Sequence, residues 1–293
     1  MEKYEFTNEI KTLGHRTLHR IKALKDFGDV HKGDLGGWLE NESNLSHEGT
    51  CWVSENARVY GNAEVFSHAR VTGDSMVYGD AWVTSSAHIC DNAQVYDEAT
   101  IGGTAKVYGN AKVYGKAMVH DTTEVYGNAQ VYDEAFIGDN AQVYDGASIG
   151  GTAKIYDNAE VYGAAWVSDD AQVYGNAQVY DEAFIRDDAQ VYDNAQVYGD
   201  AFIEGTAEVY GNAQVYGTAK VLDDARVLGD ARISDDAQVH DKAWISDDAQ
   251  VYDKAWISDE AKVWGNAKVY GNAQVYGNAR VSDDAQVYGN ARV

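Results

Sequence analysis

Several features from which function is commonly read are missing or scarce in this chain. Proline is absent altogether, and only two cysteines occur in 293 residues. Those two, Cys51 and Cys90, fall in different positions of the repeat described below, so a disulfide is not expected and a reducing compartment fits. Basic side chains are few, 23 against 47 acidic, for a net charge of −24. That balance argues against direct binding to nucleic acid or to an anionic membrane surface. No apolar run approaches the roughly 18 residues that span a bilayer. The opening MEKYEFTNEIK lacks the apolar stretch of a signal peptide, and the expected location is cytoplasmic. Large aliphatic residues are also scarce beside Ala and Val, so the interior must be narrow and filled with small side chains.

What the chain does have is a six-residue unit, most often A-x-V-Y-G-N, repeated without insertion or deletion from Cys51 to Val293. Every sixth residue from Val53 to Val293 is Val or Ile, and the residue two before it is Ala except at Cys51, Ser75 and Thr123. Such a repeat outranks local propensity as a signal of fold. It predicts a solenoid, which grows by adding units rather than by enlarging one core. Alternation at period two turns the small residue and the aliphatic inward and their neighbours outward. The residue after the aliphatic is Tyr in twenty hexads, and Tyr4 is the only other tyrosine. The next is Gly or Asp in every hexad from Asp91 to Gly289, residue types that tolerate the positive φ of a tight corner.

The number of hexads per turn follows from the interruptions of the Tyr slot. Gly150, Ser168, Arg186 and Glu204 replace Tyr at intervals of eighteen residues, which predicts three hexads per coil and a triangular prism. Residues eighteen apart then stack at the ~4.8 Å spacing of paired strands. Tyr108, Tyr126, Tyr144, Tyr162, Tyr180, Tyr198 and Tyr216 are predicted to form one column. The 41 hexads amount to about 14 coils, or roughly 65 Å of rod at that spacing.

Residues 1–50 lack the strict hexad and read as an N-terminal β cap on the helix of residues 51–293. Lys3–Thr7 and Thr17–Leu24 alternate in polarity and predict a hairpin turning at Lys11–Gly14. Leu39, Leu45 and Val53 are the expected inward residues of a first irregular coil. Their spacings of six and eight place a two-residue bulge near His47–Gly49. A cap is required because the first coil would otherwise expose its core and a row of unpaired strand groups.

The hexads resemble those of left-handed parallel β-helix proteins, a class that includes many bacterial acyltransferases, over about 240 residues. The opening segment, with Leu18–Leu24, Asp26-Phe-Gly-Asp-Val30 and Gly36-Gly-Trp38, resembles the N-terminus of YdcK-like hexapeptide-repeat proteins and related bacterial and phage proteins. The left hand of the helix is what this resemblance implies. Members of the family are mostly called transferases on fold alone, and fold does not carry function.

An acyltransferase of this class needs a general base, usually His, and a wall for the acyl donor. His68, His88, His120 and His240 are the candidates, and none has a carboxylate neighbour that spacing makes inevitable. No catalytic residue, metal ligand or cofactor is therefore assigned. The stacked carboxylates Asp223, Asp241 and Asp259, and Asp235 with Asp253, read as corner residues rather than a Ca²⁺ site, with Lys242 and Lys254 offsetting their repulsion. The tyrosine columns read first as stabilising stacks and second as a platform for a glycan or protein. The density of negative charge, about half that of duplex DNA, leaves mimicry of DNA as a further reading.

The most informative feature is a break in the repeat's own code. Where the outward residue before the aliphatic is a large aromatic, the following Tyr is replaced, as in Phe136 with Gly138, Trp166 with Ser168, Phe184 with Arg186 and Phe202 with Glu204. Trp166, Phe184 and Phe202 are eighteen apart and are predicted to form one aromatic strip, read either as a contact surface or as rings packed on one another and on the flanking side chains. The leading expectation is a non-enzymatic acidic scaffold or protein-binding rod that self-associates. The expected partners are further copies of the chain, side by side at the strip or end to end at the C-terminus, or another protein. The alternatives are an acyltransferase-like enzyme and a DNA-mimicking inhibitor.

Overall fold

The computed structural model describes residues 2–293. It divides into two compact units, Met1–Asp145 and Gly146–Val293, and both are built from the same eighteen-residue coil. Each hexad but the last contributes a two-residue strand, made of the outward residue and its aliphatic neighbour, and strands eighteen residues apart pair in parallel. In the first unit Arg70 faces His88 and His88 faces Lys106. In the second, Trp166 faces Phe184 and Phe184 faces Phe202. The expected all-β parallel solenoid with three hexads per turn is what forms.

The inward slots explain why so small an alphabet suffices. The Ala and Val or Ile of nearly every hexad have no exposure to solvent. A parallel helix of this kind has no second layer, so the core is the bore itself and its width admits Ala plus one aliphatic. The exceptions fit by bonding locally. Ser75 Oγ donates to the Thr72 carbonyl at 2.6 Å, and Thr123 Oγ1 to that of His120 at 2.9 Å.

The corners carry the strain. Every corner Gly or Asp from Asp91 to Gly289 has a positive φ, between 56° and 76°. Glycine adopts it freely; for Asp the cost is offset by a hydrogen bond. The carboxylate of one corner accepts the backbone N–H of the corner one coil on, as from Asp223 to Asp241 at 3.2 Å, Asp241 to Asp259 at 3.1 Å and Asp259 to Gly277 at 2.8 Å. These columns are thus held by N–H groups, and among the described residues no group of three or more His, Cys, Asp or Glu is placed to hold a metal ion.

The first residues form a three-strand antiparallel cap within the first unit, of β1 (Tyr4–Leu13), β2 (Arg16–Ala23) and β3 (Leu35–Leu39). The hairpin is longer than its hydropathy suggests. β1 runs on to Leu13, and the turn lies at Gly14-His15, with Leu13 facing Arg16. Its distal half is held by the backbone ladder and not by burial, as the 61% exposure of Ile10 shows, so alternation of polarity could not reveal it. β3 hands over to the coil by pairing in parallel with Arg58–Val59. Leu39 faces Val59 and Leu45 faces Val65, both twenty residues on, whereas Val53 faces Val71, eighteen on. The two extra residues lie in the expected bulge, where the N–H groups of Thr50 and Cys51 both donate to the Ser67 carbonyl. Leu39, Leu45 and Val53 are buried.

Candidate functional site

The steric basis of the aromatic code is visible at Phe136. Outward neighbours two residues apart on one strand project on the same side, and the Phe136 ring folds over the following outward position. A Cβ on Gly138 would come within 2.5 Å of its Cε1 atom. At this position the ring leaves no room for a side chain on residue 138, whereas the slot after the other large rings holds residues such as Ser168, Arg186 and Glu204.

Where the rings stack, as in the tyrosine columns, their faces cover one another. In the first unit the centroids of Tyr108 and Tyr126 are 4.8 Å apart, and those of Tyr126 and Tyr144 are 4.9 Å apart. In the second unit Tyr162, Tyr180, Tyr198 and Tyr216 follow at 4.8–5.0 Å, all within 5° of parallel. What remains exposed is edge and hydroxyl, and several hydroxyls in the neighbouring columns are also committed. Tyr192 donates to Glu208 and Tyr174 to Gln190, both at 3.2 Å.

The strip of Trp166, Phe184 and Phe202 differs. Its rings touch but do not stack, with centroids 6.2 and 6.0 Å apart and planes tilted by 31° and 37°. Ring faces stay open to solvent, and Trp166 is 45% and Phe184 38% exposed, with Phe202 half-buried. A shallow depression of about 200 Å³ lies among Trp166, Ser168, Phe184 and Arg186. The guanidinium of Arg186 covers Phe202 and bonds Glu204 at 2.6 Å. The strip is thus an apolar surface with a charged rim at one end.

A second constellation was not anticipated from spacing. His240 stacks on Trp256 with centroids 4.3 Å apart. Its Nδ1 lies 3.8 Å from Asp223 Oδ2, and its Nε2 is 3.1 Å from Gln238 Oε1. An amide oxygen only accepts, so Nε2 carries the hydrogen in that bond and Nδ1 is the nitrogen turned towards the Asp223 carboxylate. Burial holds the imidazole below the ordinary histidine value, against the opposing pull of the Asp223 and Asp241 carboxylates. The signal was present, since Asp223 is seventeen residues before His240 and so one corner below it. Asp223 also lines an open depression of about 720 Å³ with Asp241, Asp259 and Lys242. A further groove of about 560 Å³ takes in Lys242, Arg226, Glu208 and Trp244, whose ring lies under Lys262. The other histidines are dispersed. His68 is bonded to Thr50 and His88 to Thr72.

Comparison with known proteins matches the repeat. The family model for the YdcK β-solenoid repeat matches residues 273–285 and 285–293. The Escherichia coli (strain K12) protein named Uncharacterized acetyltransferase YdcK is 34% identical over 82 residues, 25% of this chain and 25% of that protein. The chain therefore spans about a quarter of the length of that relative.

Proposed function

We propose that this chain, a YdcK-like β-helix protein by its repeat and its relative, serves as a non-enzymatic acidic scaffold that binds a second copy of itself along the strip of Trp166, Phe184 and Phe202. The observation that carries this reading is the open ring faces of Trp166 and Phe184 on an otherwise strongly acidic chain. Contiguous apolar surface of this sort marks a contact, whereas a single exposed ring needs no explanation. The test is the triple replacement of Trp166, Phe184 and Phe202 by Gln, with mass in solution measured over a range of concentrations. Dissociation of the wild-type assembly in a folded variant supports the proposal. An unchanged mass, or a wild type that is monomeric throughout, overturns it.

A second reading has its own support, namely the relative's name and the His240–Asp223 pair. Under it, His240 is the general base of an acyl transfer, with Nδ1 taking the acceptor's proton in the depression beside Asp223. Calorimetry with acetyl-coenzyme A discriminates between the two. Saturable binding together with acetyl transfer that His240→Gln abolishes favours the enzyme, and the absence of both favours the scaffold.

A further inference from the structure

The N-terminal residues bury a reactive pair that neither proposed function uses. Lys3 is fully buried, as is Cys51, which occupies an inward slot otherwise filled by Ala. Lys3 Nζ lies 3.0 Å from Cys51 Sγ, 2.9 Å from the Cys51 carbonyl and 3.4 Å from that of Glu48. On its other side it meets the ring of Phe27, 5.2 Å away. The charged groups that act on it besides Cys51 are Lys25 and Arg70, both of which disfavour an ammonium, and burial pushes its amine below the ordinary lysine value. The Cys51 thiol has the Ser46 and Glu48 carbonyls at 3.5 and 3.6 Å for its own hydrogen. An amine whose charged form burial disfavours and a thiol therefore face each other across 3.0 Å, a gap about the width of one bridging atom, with neither side chain exposed to solvent. Cys90 lies in an outward slot of another coil and is a free thiol like Cys51.

We propose that Lys3 and Cys51 are a covalent modification site, at which molecular oxygen joins the side chains through an Nζ–O–Sγ bridge. The step balances with dioxygen as sole oxidant. The amine gives up one hydrogen and the thiol its only one, and the O–O bond breaks. One oxygen atom enters the bridge, and the other leaves as water with both hydrogens. Nitrogen and sulfur each lose two electrons, and dioxygen takes all four. Dioxygen is small and apolar enough to reach a site that excludes glutathione or a second protein thiol. The bridge would tie the residue before β1 to the first regular coil, 48 residues away, and so clasp the cap to the solenoid. Reduction would release the clasp.

The test uses the full chain carrying Cys90→Ser, held either anaerobically with a thiol reductant or in air-saturated buffer, then denatured, alkylated and weighed. The expected aerobic product has gained one oxygen and lost two hydrogens, resists alkylation, and yields one cross-linked peptide containing Lys3 and Cys51. Reductant returns it to the free thiol, and the bridged form unfolds at a higher denaturant concentration than the reduced one. Cys51→Ala and Lys3→Arg abolish the product. Cys51→Ala places the repeat's usual residue in that slot, so the comparison stands even if Lys3→Arg fails to fold. An alkylatable thiol after prolonged exposure to air overturns the proposal. So does a sulfenic acid on Cys51 without a link to Lys3, or a direct N–S bond lacking the oxygen.

Discussion

Arg186 lies over the ring of Phe202, its guanidinium carbon 4.7 Å from the centroid, and so covers one end of an aromatic strip whose other rings are open. The same side chain donates to Glu204 at 2.6 Å. Because Arg186 and Glu204 are both well exposed, with side-chain exposures of 46% and 31%, the pair itself adds little stability. Arg186→Ala is expected to lower stability by no more than about 1 kcal/mol, the scale of an exposed cation–π contact. By baring Phe202 it should strengthen self-association, and sedimentation at matched concentrations reads both the sign and the size.

The tyrosine columns predict a graded response. Tyr180 is stacked on both sides, on Tyr162 at 4.9 Å and Tyr198 at 4.8 Å. Tyr180→Ala should cost about 1–3 kcal/mol, two aromatic pairs at about 0.5–1.5 kcal/mol each. Tyr180→Phe keeps the ring and should cost much less. Equal losses in urea melts of the two variants would refute stacking as the source.

Alkali should weaken the columns. Burial, with the neighbouring tyrosines second, raises Tyr78 and Tyr180 from the ordinary 10.0 to about 12. The folded state thus holds a proton that the unfolded chain releases, so these groups contribute fully below pH 10 and their contribution is lost as the pH rises towards 12. The denaturation midpoint should fall over that window, and the Tyr78→Phe, Tyr180→Phe double variant should fall less steeply.

Corner chemistry separates two substitutions at one glycine. Gly199 has φ +70°, and a Cβ there would meet the Gly217 N and O atoms at 3.0 Å. Gly199→Ala should therefore destabilise by about 1–2 kcal/mol, the cost of a left-handed residue with a side chain. Gly199→Asp should cost less, because its carboxylate can accept the Gly217 N–H just as Asp181 accepts that of Gly199 at 3.3 Å. Thermal melts of both variants check the order.

Overpacking of the bore is the last expectation. Ala177 is fully buried, and Ala177→Leu adds three carbons where no second layer can move aside. A loss of about 1–3 kcal/mol or more is expected, whereas Ala177→Ser should be milder, since Ser75 already fits such a slot by bonding the Thr72 carbonyl.

The hexad by itself determined the fold and most of the surface. Once an aliphatic recurs every sixth residue without a break, inward and outward faces are set, and eighteen-residue stacking makes columns of Tyr108, Tyr126 and Tyr144 or of Trp166, Phe184 and Phe202 unavoidable. The bulge before Cys51 was legible too, because Leu39, Leu45 and Val53 leave two residues over. What the period carries is backbone position, repeated at each coil.

Side-chain direction and contacts outside the period were decided only by the tertiary structure. The strip's rings tilt by 31° and 37° where the tyrosines stack within 5° of parallel, a difference in side-chain direction that the period does not carry. Corner carboxylates turn to the next coil's N–H, which no spacing rule states. His240 meets Asp223 because one sits before a corner and the other at the corner below, a diagonal that a column-by-column reading passes over. Lys3 reaches Cys51 because the chain just before and at the start of β1 packs on residues 42–51, with the Lys3 N–H on His47 and the Tyr4 hydroxyl on the Glu42 and Leu45 carbonyls, and residues with no shared period become neighbours only when the chain has folded.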